Sequence, residues 1–239
     1  MKIIHPIFQE PIVLEDDKVC VIQIENKKCY RELLCEILYQ SKRLREGNLL
    51  ITEEGKEFDL GKDIHVITDV LPVDSNQRKI LGKLYQRMES TALESDFYLE
   101  TQQILSQLQR FMTILTDDEM IALDFKDEIS LQDLFKIADL KIECENIKLL
   151  EKLLDYLEVV QEFLKPKCII IMGLKQFFEK DELEEIYKFV IYQGIRLVLI
   201  ENAIDKESYD FEKKLIVDMD LCEIWEYPKV CVNLQTDVR

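Results

Sequence analysis

The residues of this chain that could do chemistry fall into three groups. The first is a run of cations, Arg78, Lys79, Lys83 and Arg87, in a stretch with no acid between Asp74 and Glu89. Lys79, Lys83 and Arg87 are four residues apart, so on a helix they form one stripe with ~6 Å between successive positions. Ile80, Leu81, Leu84, Tyr85 and Met88 form the opposite, core-facing stripe. Such a row of cations can meet a row of phosphates, and it can equally be a solvated face. The second group is acidic: Asp117, Asp118, Glu119, Asp124, Asp127 and Glu128 place six carboxylates in twelve residues, with Lys126 the one base among them. These charges repel, and a hard cation with oxygen ligands would relieve them, although the spacing and central glycine of an EF-hand are absent. A solvated loop is the plain alternative.

The third group is Asp69 and Glu201, which close the apolar runs "HVITD" and "RLVLIE". Strand-end carboxylates hold magnesium in nucleotide hydrolases, but they work beside a phosphate loop. The nearest thing to one is "GKEFDLGKD", Gly55 to Asp63, with five residues between its glycines and an acid after the lysine. A phosphate loop needs four, then Ser or Thr, and a carboxylate there repels phosphate. His5 and His65 are the only histidines, and His65 lies inside an apolar run. It reads as a core or edge residue rather than a base. No nucleophile-elbow pattern is present.

Composition narrows the partners. The 239 residues hold 48 acids and 31 bases, a formal charge of −17. A uniform charge of that size repels nucleic acid and anionic membrane at long range, whereas a segregated one need not. Seven cysteines without a CxxC pair, four of them (Cys20, Cys35, Cys168, Cys231) in apolar runs, read as small hydrophobes in a reducing compartment. No run approaches the ~20 apolar residues that span a bilayer, and "MKIIHPIFQEP" lacks a signal-peptide layout. A soluble, cytoplasmic protein is expected.

The elements that must position these groups follow from period. "KIIHPIF", "PIVL" and "VCVIQIE" read as short strands, then a helix runs from about Lys27 to Glu46 with Gly47 as its stop. That helix is itself rich in bases, among them Lys42, Arg43 and Arg45. "NLLITEEGKEFDL" reads as a hairpin turning at Glu54–Gly55, and "DIHVITDV" as a buried strand. From Ser75 to about Leu115 the chain is helical, with Leu93, Phe97, Ile104, Leu108, Phe111 and Leu115 spaced like a coiled-coil seam. A helix capped by Ser130-x-x-Asp133 follows, then one from about Asn146 to Leu164. "KCIIIMGL" and "IRLVLIEN" are fully apolar strands around a helix closed by Gly194, with "LCEIWEY" a third strand. Apolar strands separated by helices imply a parallel sheet covered on both faces. The expected architecture is α/β: one head from residues 1–74 and 141–239, and a helical leg from 75–140.

The ordered set "PIVLED", "IHVITDVLPVDSNQRKILGKLYQRME", "DEISLQDLFKIADLKIE" and "KCIIIMGLKQFFEKDELEEIYKFVIYQGIRLVLIEN" resembles the small spacer-acquisition proteins of type II-A CRISPR systems. These form rings that bind ends of double-stranded DNA. The resemblance implies a degenerate P-loop-ATPase-like head with a mostly parallel sheet and an inserted helical leg. It implies a non-catalytic homotetramer with calcium at acidic sites and duplex DNA passing through a lysine-lined hole. The calcium ligands would fall within Asp117–Glu128. Charge segregation points to Arg78, Lys79, Lys83 and Arg87 as the residues facing DNA, with Lys136 and Lys141 near "LKIE" as further candidates. The CRISPR integrase complex and the large effector nuclease of the same system are the implied protein partners. Two other readings compete. A divergent metal-dependent nuclease or nucleotide hydrolase would use the strand-end carboxylates, and a purely protein-binding helical module would not touch DNA.

Overall fold

A computed structural model describes residues 1–94, 96–126, 128–144, 148–203, 207 and 209–226 of the chain. In order along the chain the first elements are β1 (Lys2–Ile4), β2 (Ile12–Val13), β3 (Val19–Ile24) and α1 (Lys27–Ser41). Then come β4 (Leu50–Glu53), β5 (Lys56–Glu57), β6 (Ile64–Ile67), α2 (Arg78–Glu94), α3 (Tyr98–Asp117) and α4 (Leu131–Ile137). The last third holds α5 (Leu149–Phe163), β7 (Cys168–Met172), a 3-10 turn (Leu174–Gln176), α6 (Lys180–Tyr192), β8 (Leu197–Glu201), β9 (Glu212–Val217) and β10 (Glu223–Glu226). The chain divides into two compact units, one from Met1–Val73 with Asn146–Arg239 and one from Asp74–Glu145.

The first unit is α/β. Its larger sheet runs β10-β9-β3-β8-β7-β6, and all its pairings are parallel except that of β10 with β9. β3, β7, β8 and β9 are buried along their whole length, the first three as near-continuous apolar strands covered on both faces. One face, with Cys20, Ile22, Ile170 and Ile200, joins a core with Leu33 and Ile37 of α1 and with Ile3, Ile12 and Ile51 of a small antiparallel sheet ordered β2-β1-β4-β5. Alternate residues point to the other face. There Tyr156 of α5 hydrogen-bonds His65 at 2.9 Å, and the Tyr187 hydroxyl of α6 donates to Glu212 at 3.0 Å. His65 is thus a half-buried structural histidine.

Several local expectations are met and several are revised. β4 and β5 form a hairpin whose two-residue loop, Glu54–Gly55, has positive φ at both positions (50° and 81°). That is the mirror-image turn that matches strand twist. "GKEFDLGKD" is therefore a hairpin and its exit, not a strand-to-helix turn. α1 stops at Ser41, short of Glu46. Arg43 enters the left-handed region (φ 54°), and Leu44 N–H returns to Tyr39 carbonyl at 2.8 Å while Arg43 N–H bonds Gln40 carbonyl. The salt bridge from Arg43 to Asp59 (2.5 Å) holds this glycine-like cap in place. Cys35 is exposed rather than buried, while Cys20 and Cys168 lie in the core; Cys231 is outside the described residues. "LCEIWEY" yields a half-exposed antiparallel edge strand, β10, where a buried one was expected. β9, "EKKLIV", was not foreseen at all, because three consecutive charges read as surface. In the fold Glu212, Lys213 and Lys214 are all buried, and they are paired. No helix among the described residues is long and apolar enough to cross a membrane.

Candidate nucleic-acid interface

The second unit is built around α2. Ile80 is fully buried and Tyr85 nearly so, with Leu81, Leu84 and Met88 half-buried beside them. Three side chains fix this inner face. The Tyr85 hydroxyl donates to Leu140 carbonyl at 2.7 Å, and its ring lies 5.7 Å from that of Phe135 in α4. Asn76, just before the helix, accepts from Ile142 N–H at 2.8 Å and donates to Ile142 carbonyl at 3.0 Å. Gln132 donates to Glu89 at 2.5 Å. α4 itself starts on the expected capping box, with Ser130 and Asp133 exchanging side-chain and backbone bonds. Neither the Asn76 clamp nor the Gln132 contact carries a periodic signal, so sequence alone could not find them.

With that face occupied, Arg78, Lys79, Lys83 and Arg87 are all exposed. Lys79, Lys83 and Arg87 project as one stripe at helical spacing, while Arg78 lies roughly a quarter turn away. No acid among the described residues pairs with Arg78, Lys79 or Lys83. Lys136 and Lys141 are differently placed. Lys136 bonds Asp133 at 3.3 Å and Lys141 bonds Asp139 at 2.5 Å. Lys126 also reaches Asp133, and these cations together with Ser130 hold the Asp133 carboxyl far below the usual carboxylate range. Among the described residues, then, Arg78, Lys79 and Lys83 carry charge with no acid paired to it, whereas Lys136 and Lys141 are answered locally by acids.

The acids do not gather. Asp117 closes α3 and Asp118 caps it, so both sit at the negative end of a 20-residue helix with no base in its last turn. That placement is electrostatically unfavourable and would be eased by a cation. Glu119, Asp124 and Glu128 are also exposed, and Asp127 lies outside the described residues. No three His, Cys, Asp or Glu side chains among the described residues converge as a metal site. Calcium takes six to eight oxygens, and the described carboxylates of one chain do not supply such a shell. Asp69 and Glu201 are likewise apart: β7 lies between their strands, and Asp69 accepts from Leu71 N–H at 2.9 Å in a local turn.

The seam expected along Leu93 to Leu115 is not the buried face of α3. α2 ends at Glu94 and α3 begins at Tyr98 with Phe97 as its N-cap, so Leu93 lies on the far side of a break and the register does not carry across. The covered side of α3 is Thr101, Leu105, Leu108, Met112 and Thr116. Leu99, Ile104, Phe111, Ile114 and Leu115 stand 49–72% exposed.

Comparison with known proteins places these features in context. Residues 42–221 match the family described as CRISPR-associated protein (Cas_Csn2). A CRISPR-associated protein Csn2 from Enterococcus faecalis is 20% identical over 214 residues, which is 88% of this chain and 94% of that relative. One from Streptococcus agalactiae is 23% identical over 229 residues, 95% of this chain and 98% of the relative. Among solved structures, cbiO1 of Clostridium perfringens, part of the ABC transporter complex cbiONQ, covers 87% of this chain and 76% of its own at 12% identity, with a TM-score of 0.42. A putative metal-chelate type ABC transporter gives the same TM-score at 9% identity, covering 92% of this chain and 75% of its own.

Proposed function

The chain belongs to the CRISPR-associated Csn2 family, and from that premise we propose that it binds the ends of double-stranded DNA without sequence preference and without catalysis, as a homotetrameric ring serving spacer acquisition. One observation carries the reading: a chain of net charge −17 keeps an exposed cationic stripe, Lys79, Lys83 and Arg87, on a helix whose other face is locked. Contacts to phosphate alone give affinity without reading bases. In a ring, stripes from several copies converge on one duplex while the acidic exterior discourages side-on binding.

Two further observations support the finer parts. The exposed apolar row on α3 is a surface that copies of the chain can bury against one another. The turn from β3 into α1 leaves only Glu25 and Asn26 between strand and helix, and Asn26 Oδ1 already accepts from the N–H groups of Lys28 and Cys29. A phosphate loop needs free N–H groups at that kind of turn, which suits a degenerate P-loop-like head. Calcium at Asp117–Glu128 would need oxygens beyond those one chain gathers, from water or other copies. The integrase complex and the large effector nuclease are the proposed recipients of the captured end.

A gel-shift series with one DNA supplied linear and as closed circles, each with calcium and with a chelator, tests the reading. Binding of linear DNA only, lost on chelation, is expected. Equal binding of circles would mean an open groove and remove the ring. Shortened DNA after magnesium would favour a nuclease acting through the strand-end carboxylates.

A further inference from the structure

A cavity of about 430 Å³ lies in the first unit, outside the carboxyl ends of β7 and β8 and beside the start of α1. β3 and β8 are neighbours in the sheet, yet the chain leaves β3 towards β6 on one side and β8 towards β9 on the other. In open α/β sheets a crevice at such a reversal is where ligands bind. Nothing in the DNA reading uses it.

Glu201, the last residue of β8, lines this cavity and is 5% exposed. Its carboxylate accepts from Lys175 N–H at 3.0 Å. Gly173 makes that contact possible: it turns the chain out of β7 at φ +68°, and a Cβ there would stand 2.4 Å from the Gln176 amide. Next to Glu201 in register is Gln23 of β3, fully buried, with neither polar side-chain atom partnered. Unmet hydrogen-bonding capacity thus lies beside Glu201 in the sheet, behind the cavity lining.

The other charges that line it are answered among the described residues. Glu212 meets Lys175 at 2.7 Å and Lys214 at 3.4 Å. Glu207 meets Lys180 at 3.7 Å, and Glu179 caps α6. Lys175 also lies 4.4 Å from the centroid of the Tyr209 ring. Glu201 alone is a buried acid held only by backbone N–H groups, with no cationic side chain bonded to it among the described residues. Burial accordingly pushes its carboxyl up to about 7. A buried carboxylate without a paired cation is driven to take up a proton, and a cation from solution would favour its charged form instead. A metal does not suit: no third ligand converges here among the described residues, and the space far exceeds an ion. The rest of the lining mixes Lys175, Lys180, Glu179 and Glu207 with the rings of Phe178, Tyr209 and the half-buried Tyr30, whose hydroxyl has no hydrogen-bond partner among the described residues.

We propose that this cavity binds a small organic ammonium ion, its nitrogen on the Glu201 carboxylate beside the Tyr30 hydroxyl and its carbons against the aromatic rings. Tyr30 supplies the ring for cation–π attraction beside the ion pair, since the Tyr209 ring already carries Lys175 and Lys180. The inference is independent of the DNA-binding reading. The groups facing Glu201 are Lys175 from the 3-10 turn, Glu212 from β9, Tyr30 from α1 and Tyr187 from α6, with Lys180, Glu179 and Glu207 at the rim. Burial also raises the Tyr30 and Tyr187 hydroxyls, so both stay protonated near neutrality, and Glu201 is the group whose charge changes there. Its ionised fraction falls from about nine-tenths at pH 8 to about one-tenth at pH 6, and ammonium affinity should fall about tenfold with it.

Titration calorimetry of the full chain with butylammonium at pH 8 and pH 6, with butanol as neutral isostere, tests this. Saturable binding of butylammonium but not butanol is expected, about tenfold weaker at pH 6 and lost in Glu201→Gln. No saturable binding at pH 8 overturns the proposal. So does binding that ignores pH or survives Glu201→Gln, because that pattern marks general attraction to an acidic surface. The wild-type pH comparison decides the matter even if the variant fails to fold.

Discussion

Among single residues Glu201 departs furthest from ordinary behaviour, and its effect on stability has a definite sign. Its carboxyl is raised from 4.5 to about 7 because burial disfavours the charge more than Lys175 favours it. Between those values the folded group keeps its proton while the unfolded one has lost it, so this group's contribution to stability falls as pH rises through the window. Below it both forms are protonated and nothing is lost. Above it the folded state carries a constant penalty, about 3 kcal/mol from the size of the shift. Replacing the acid by a neutral isostere removes that penalty. Glu201→Gln should therefore be more stable than the parent at pH 8, by about 1–3 kcal/mol, and nearly equal to it at pH 5. Urea unfolding of both proteins at the two pH values measures this, and a variant less stable at pH 8 would refute the assignment.

At the scale of elements, what holds α2 in place matters more than α2 itself. Asn76 satisfies both backbone groups of Ile142 with one amide, so Asn76→Ala leaves two backbone groups without their partners. The cost expected is about 1–3 kcal/mol. Urea unfolding should show it, and amide exchange at Ile142 should quicken; unchanged exchange would mean the clamp is incidental. This contact also marks where the sequence stops being legible. The Glu54–Gly55 hairpin, the Ser130 capping box and the Gly194 stop were readable because each depends on residues a few positions apart. The basic stripe was readable because four-residue spacing places side chains on one face whatever the tertiary setting. The Ile142 clamp joins residues 66 apart and could not be. β9 was missed for a related reason: Glu212 looks solvated until Lys175 and Tyr187 arrive from elsewhere in the chain to pair with it, and Lys214 until Glu226 does. The α3 seam failed because its heptad count ran through a helix break. The candidate site was thus legible in its charges but not in its supports, and the acidic cluster was legible as charge without geometry.

For the molecule as a whole, the net charge of −17 requires that any attraction to DNA be local and salt-sensitive. Each phosphate neutralised contributes about 0.9 to the slope of log affinity against log salt. Lys79 and Lys83 have no acid paired with them among the described residues, whereas Lys136 and Lys141 are already bonded to Asp133 and Asp139. The two pairs therefore should not be equivalent, although each changes net charge by the same amount on reversal. Lys79→Glu with Lys83→Glu should lower affinity for linear duplex at least tenfold and flatten the salt slope by about 2 or more per chain engaged. Lys136→Glu with Lys141→Glu should cost much less, because the wild-type charges there are partly spent on neighbours. Fluorescence anisotropy across a salt series separates the cases. If the two double variants lose affinity equally, only net charge matters and α2 is not the contact surface. If only the α2 variant loses affinity and slope, then a protein repelled by DNA at long range meets it through one helix face, held by contacts on its other side.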